Sequence, residues 1–349
     1  AHNPMVRPSG IKPATAMCSS KGNVQDSLHA ASLDARMAVA DRLADAFDRR
    51  GVSDELLEAF FMQEKASSSR QRRDPSMVDP ELRSRILYLV HGLLHQINAR
   101  EHCWFEAARI LDLVGPHPLS KTAEAATTGT VGGELGAAPA PEALLARAVA
   151  LCSVSDALEG MAGPQPQLRR LLPCLIHSAS LMSAGLGGRA VTMDDVLREQ
   201  CLLLGDVDAA PNVARWVSVF LARFDVSTDG AFAHRLEQAE HVANQLAARL
   251  IVQAPTTSKR TARAYALGAF VVALALVGVV PPATLRADAV DEATWNARLA
   301  ALQPLANGAA EVEGRAVPRG AVLAALELAT RTEASAIRAF ALATVGSIP

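Results

Sequence analysis

The sequence predicts an all-α protein, with Ala-rich helices in two packed blocks behind an extended N-terminal arm. Three observations carry this. Of 349 residues, 67 are alanine, the strongest helix former. Aromatic residues, which strands favour, make up only 4% of the chain. Apolar residues recur at three- and four-residue steps, and period-two runs are scarce. Hydrophobic residues make up 50%, which excludes a wholly disordered chain. A chain of this length buries roughly 75% of its unfolded surface and needs no staples.

Residues 1–26 read as the arm: Pro4, Pro8 and Pro13 with Gly10 and Gly22, and no apolar stretch of the kind a secretory signal peptide carries. A helical block spans 27–114. Its first helix places Leu33, Met37, Ala40, Leu43 and Phe47 on one side, and Gly51 ends it. Ser53 then caps an acidic first turn, Asp54 and Glu55, ahead of Leu56, Leu57, Phe60 and Phe61. Residues 66–76 read as a polar basic linker. Asp79 followed by Pro80 is a strong start signal for a helix to about Arg100, and another runs from Glu101 to the stop at Gly115-Pro116.

Residues 115–141 hold four prolines and five glycines and read as a linker or long loop. The second helical block spans 142–349. Pro164, Pro166 and Pro173 are expected to interrupt it. Thr192 with Asp195 resembles a capping box opening a helix to Gly205, and Pro211 opens the next, through Trp216 and Phe220. A long helix covers 230–253, and Thr332 caps the last one, near 333–345. Residues 264–280 contain no charge. The segment is barely long enough to span a bilayer, and the expected arrangement is a buried central helix stopped by Pro281-Pro282, with no membrane partner.

Charge and cysteine usage narrow the chemistry. The formal net charge is −2, so no general attraction to polyanions follows. The five cysteines (Cys18, Cys103, Cys152, Cys174 and Cys201) are odd in number and lack CxxC spacing, which argues against a disulfide framework. Local basic groups remain as candidate phosphate or nucleic-acid contacts: Arg70, Arg72 and Arg73 in the linker, and Lys259, Arg260 and Arg263 before the apolar segment. No aromatic residues are interleaved with them, so contact would be non-specific and to phosphate.

Three motifs come close to catalytic or metal-binding patterns. Gly115-Pro-His-Pro-Leu-Ser120-Lys121-Thr122 approaches a phosphate-binding loop, with Ile110–Val114 as its strand and Leu202-Leu203-Leu204-Gly205-Asp206 as a magnesium-binding element. Ser120 stands where the second glycine belongs, and Pro116 and Pro118 lack the amides that cradle phosphate. His91 and His95 share a helix face, and His102 and Cys103 follow two turns on, which makes a zinc site geometrically conceivable. Gly92 replaces the glutamate of a metalloprotease motif. Cys174 and His177 are helical neighbours, unlike the cross-element Cys–His pairs of nucleophilic catalysis. No catalytic residue, cofactor or metal is therefore expected.

The function expected from the sequence is that of a non-enzymatic, self-assembling structural protein. It would be a viral coat or nucleocapsid subunit that builds a shell or filament by arm exchange and helix packing, with itself as partner. The virion or host cytoplasm is its expected location. The alternatives are a bacterial secreted effector or helical interaction protein, and a degenerate P-loop NTPase.

Overall fold

A computed structural model describes residues 45–70, 79–97, 99, 101–114, 139–160, 168–204, 210–254, 261–287, 290–306 and 319–348. Among these the regular structure is helical, with no strand, so the all-α class is established. The arm, the phosphate-loop motif at 115–122, Gly205 and Asp206, and Arg72, Arg73, Lys259 and Arg260 lie outside the described residues.

Residues 45–49 form the last turn of the first expected helix, and Gly51 (φ +68°) ends it. Helix α1, Asp54–Arg70, starts where Ser53 Oγ accepts the Leu56 amide at 3.3 Å. It runs five residues into the stretch expected to be linker, because adding residues to an existing helix costs far less than starting one. Helix α2, Pro80–Gln96, has the expected Asp79 cap, whose carboxylate accepts the Glu81 amide at 3.0 Å. Helix α3, Glu101–Val114, includes Ile110–Val114, so that stretch is not a strand.

Helices α4 (Pro141–Gly160), α5 (Leu168–Gly185) and α6 (Met193–Leu204) follow. Pro173 sits inside α5 and does not interrupt it. Its missing N–H removes one bond near the start of the helix, while Leu175 and Ala179 keep that face buried. Leu202–Leu204 are the last turn of α6, not a strand. Next come α7 (Val213–Ser227), α8 (Ala233–Gln253), α9 (Ala262–Leu276), the short α10 (Pro282–Leu285), α11 (Glu292–Leu302) with a 3-10 turn Gln303–Ala306, α12 (Arg319–Thr330) and α13 (Ala334–Ser347). Asn212, not Pro211, caps α7, its Oδ1 accepting the Arg215 amide at 3.0 Å. Thr332 does not cap α13. Its hydroxyl turns back to the Thr330 carbonyl, and Glu327 of α12 accepts the Ala334 amide instead.

The helices gather around two central ones. Helix α4 is enclosed by α2, α3, α5 and α6. Leu145, Ala148, Val149, Leu151 and Cys152 are fully buried along it. Helix α9 is enclosed by α7, α8 and α13, and every residue from Tyr265 to Leu276 is buried. The stretch expected to separate the two sequence blocks thus lies between α3 and α4, which pack on each other. The two groups meet where α3 touches α7 and α2 touches α8, and one continuous apolar core runs through both. Small residues set the closest approach. A Cβ on Gly268 of α9 would lie 2.0 Å from Thr344 Oγ1 and 3.1 Å from the Phe340 carbonyl of α13. Helix α1 adds the largest aromatic cluster: Phe60 meets Trp216 edge-on at 5.2 Å and Phe61 stacks on it at 5.5 Å. Among the described residues no helix is long and apolar enough to cross a membrane. The uncharged segment is instead the centre of its helical group.

Candidate functional site

Among the described residues four arginines lie buried in this core, and three of them, Arg83, Arg147 and Arg223, tie separate elements together. Arg83 of α2 grips Asp112 of α3 with two bonds, Nε to Oδ1 at 2.6 Å and Nη2 to Oδ2 at 3.1 Å. Its Nη1 also donates to the Ile251 carbonyl at the end of α8, at 2.6 Å. Arg147 of α4 pairs with Glu199 of α6 at 2.8 Å, both buried. Glu106 of α3 accepts from Arg109 and, at 3.0 Å, from the side-chain amide of Asn212, the cap of α7. Arg223 of α7, 1% exposed, donates to the carbonyls of Val52, Leu328 and Ala329 and to Asp54, and lies 3.8 Å over the Phe47 ring. Burial pushes the Arg223 guanidinium below its ordinary range, and the nearby Asp54 carboxylate opposes that shift. These pairs are structural: every charge is satisfied from inside the fold.

The sequence candidates fall apart in space. Of the six basic residues proposed for phosphate contact, only Arg263 has a described side chain. It is already engaged, 3.6 Å from Glu64 and 5.0 Å over the Phe61 ring, and Glu64 also accepts its backbone amide. Arg70 is the last residue of α1. His91 and His95 stack on the outer face of α2 with centroids 6.4 Å apart, whereas Cys103 is buried. Among the described residues no three His, Cys, Asp or Glu side chains converge as metal ligands. Cys152 is fully buried, and desolvation pushes its thiol far above the ordinary cysteine range, away from the reactive thiolate. Cys174 and His177 are both exposed on α5.

The surface feature that stands out is on α6. Its inner face, Val196, Glu199 and Leu203, is buried against α4. Its outer face carries a second apolar stripe, Met193, Leu197, Cys201 and Leu204, at steps of four, four and three residues. Leu197 is 47% and Leu204 56% exposed, and Leu186, in the turn before the helix, is 64% exposed. Sequence periodicity located the helix but did not distinguish the covered stripe from the open one, because both are apolar at helical spacing.

The helix is held rigidly. The preceding turn is pinned by Ser183 Oγ donating to the Arg189 carbonyl at 2.6 Å and by the Gly188 amide on the Ser183 carbonyl at 2.9 Å. A Cβ on Gly188 would lie 2.6 Å from Ser183 Oγ, so only glycine fits the turn. The expected capping box forms: Thr192 Oγ1 accepts the Asp195 amide at 3.2 Å, and Asp195 accepts the Thr192 amide at 3.0 Å. Arg189 adds two bonds to Asp195, each 2.8 Å. That guanidinium, helped by Thr192, holds the Asp195 carboxyl well below the usual carboxylate range. A depressed carboxyl stabilises the fold above its unfolded pKa, about 3.9, and loses that contribution as pH falls toward the folded value. Asp195→Asn should therefore cost about 1 kcal/mol or less at neutral pH, because the pair is solvent-screened. The melting temperatures of variant and wild type should draw together as pH falls below about 3.9 and meet only well below about pH 3, near the folded carboxyl's value. A difference that persists there would place the effect outside the charge.

No protein-family model matches the chain, and no curated protein or solved structure is significantly similar to it.

Proposed function

We propose that the chain is a non-enzymatic helical interaction protein that presents α6 to a partner. The observation carrying this is the open apolar stripe Met193, Leu197, Cys201 and Leu204 on a helix fixed by the Arg147–Glu199 pair and the Arg189–Asp195 box. Rigid elements that keep an apolar row in water suit capture of an amphipathic helix, whose own apolar row would pack on the stripe. Leaving such a row uncovered has a cost in solubility, and interaction surfaces are where chains bear it.

The test places a photo-crosslinking side chain at Arg198, next to the stripe, in cells that express the full chain. The expected result is a discrete crosslinked protein whose yield collapses when Leu197→Glu is introduced. An unchanged yield, or no crosslink, overturns the proposal. Purified Leu197→Glu should keep its dichroism spectrum and melting temperature, since an exposed substitution stays within roughly 0.5 kcal/mol.

The shell-forming reading uses the same stripe differently, covering it with a second copy of the chain. Crosslinking of the chain to itself, with large species in sedimentation of the purified protein, would favour that reading.

A further inference from the structure

A second surface is independent of α6. Between α2 and α8 lies a cavity of about 650 Å³, the size of a site for a small organic molecule. Leu87, Leu94, Phe105, Ala248 and Val252 make its walls and floor apolar. Among its described polar groups Arg249 is the one arginine or lysine, beside the exposed Tyr88 hydroxyl. His91 and His95 come from α2, and Gln245, Arg249 and Gln253 from α8; all can donate through N–H groups, and Gln245 Nε2 already meets His241 Nε2 at 2.7 Å. Among the described residues that line it there is no carboxylate. Arg249 is exposed and makes no ion pair among the described residues.

Two further features bear on an anion here. The carbonyl end of a helix repels anions, and α8 ends at this cavity. Arg83 offsets that effect by donating to the Ile251 carbonyl at 2.6 Å, with Asp112 holding the guanidinium from behind. The same clamp fixes α8 against α2, so the cavity is formed before anything enters it. Trp104 is oriented as part of the lining by its indole N–H, which donates to the Leu87 carbonyl at 3.3 Å.

We propose that this cavity binds an amphipathic carboxylate, with an apolar tail against Leu87, Phe105 and Val252 and its head between Arg249 and the two imidazoles. Titration calorimetry of the full chain with decanoate, decanol and decyltrimethylammonium tests it. Decanoate should bind at one equivalent, at least tenfold more tightly than either of the others. Arg249→Gln should weaken decanoate at least tenfold and leave decanol unchanged. Ala248→Trp should fill the cavity and abolish decanoate binding while the dichroism spectrum stays that of wild type. Equal affinity for the three probes, binding indifferent to Arg249→Gln, or no binding of decanoate would each overturn the proposal.

Discussion

Val271→Asp is expected to unfold the helical group around α9. Val271 is fully buried at the middle of that helix, and its neighbours Phe270 and Val272 are fully buried too. The helix itself carries no charge from Tyr265 to Leu276, and every residue of that stretch is buried, so a new carboxylate has to stay charged in an apolar setting or take up a proton. Either route costs several kcal/mol, a large part of the roughly 5–15 kcal/mol that holds a domain folded. Leu267→Asp, one turn earlier, should behave the same way. Far-UV dichroism should lose a large share of its helical signal at 25 °C, while Ala300→Asp, on the exposed side of α11, should melt like wild type. Retention of the wild-type spectrum and melting temperature in Val271→Asp would show that α9 is not central.

Arg223→Ala should be nearly as damaging, for a different reason. The guanidinium is the donor for three backbone carbonyls, those of Val52, Leu328 and Ala329, and it covers the Phe47 ring. Removing it leaves buried acceptors without a partner and opens a cavity at the junction of α7, α12 and the segment before α1. Breaking such a buried charge network costs about 3–5 kcal/mol. The ion pair itself is the smaller part. Asp54 is 55% exposed and can be hydrated, so Asp54→Asn should cost less than about 1 kcal/mol. Arg223→Lys should recover little, because an ammonium on a single stem cannot reach acceptors spread around a planar fork. Urea midpoints of the three variants separate these contributions. Equal loss in Arg223→Ala and Asp54→Asn would mean that the ion pair, not the carbonyls, carries the junction.

Local signals made much of this architecture legible in the sequence. Asp79-Pro80 and Thr192 with Asp195 marked helix starts correctly, because a cap is satisfied by backbone amides two or three residues away. The uncharged stretch around Val271 identified the central helix, because the seventeen residues 264–280 offer no charged face to turn to water. Signals that depend on tertiary partners were not legible. Thr332 was expected to cap α13, but Glu327, seven residues before the amide it binds, took that place. Pro173 was expected to break a helix that packing on α4 preserves. The buried arginines left no trace, since Arg83 and Asp112 are 29 residues apart and Arg223 and Val52 are 171 apart. The same limit applies to the surface. The His91–His95 spacing was visible, but the cavity beside it depends on Gln245 and Arg249, which only folding brings near.

The long spans closed by those arginines also bear on how the chain comes apart. Arg83 reaches the Ile251 carbonyl across 168 residues, and Arg223 reaches Val52 across 171. Loop closure of that length has to be met before either contact forms, so both are expected in the later part of the folding route. Contacts made after the transition state barely accelerate folding but slow its reversal. Arg83 and Arg223 are therefore expected to act as latches on the lifetime of the native state. Arg223→Ala is expected to release α1 and α12, both fastened by Arg223, together, which hydrogen exchange would read.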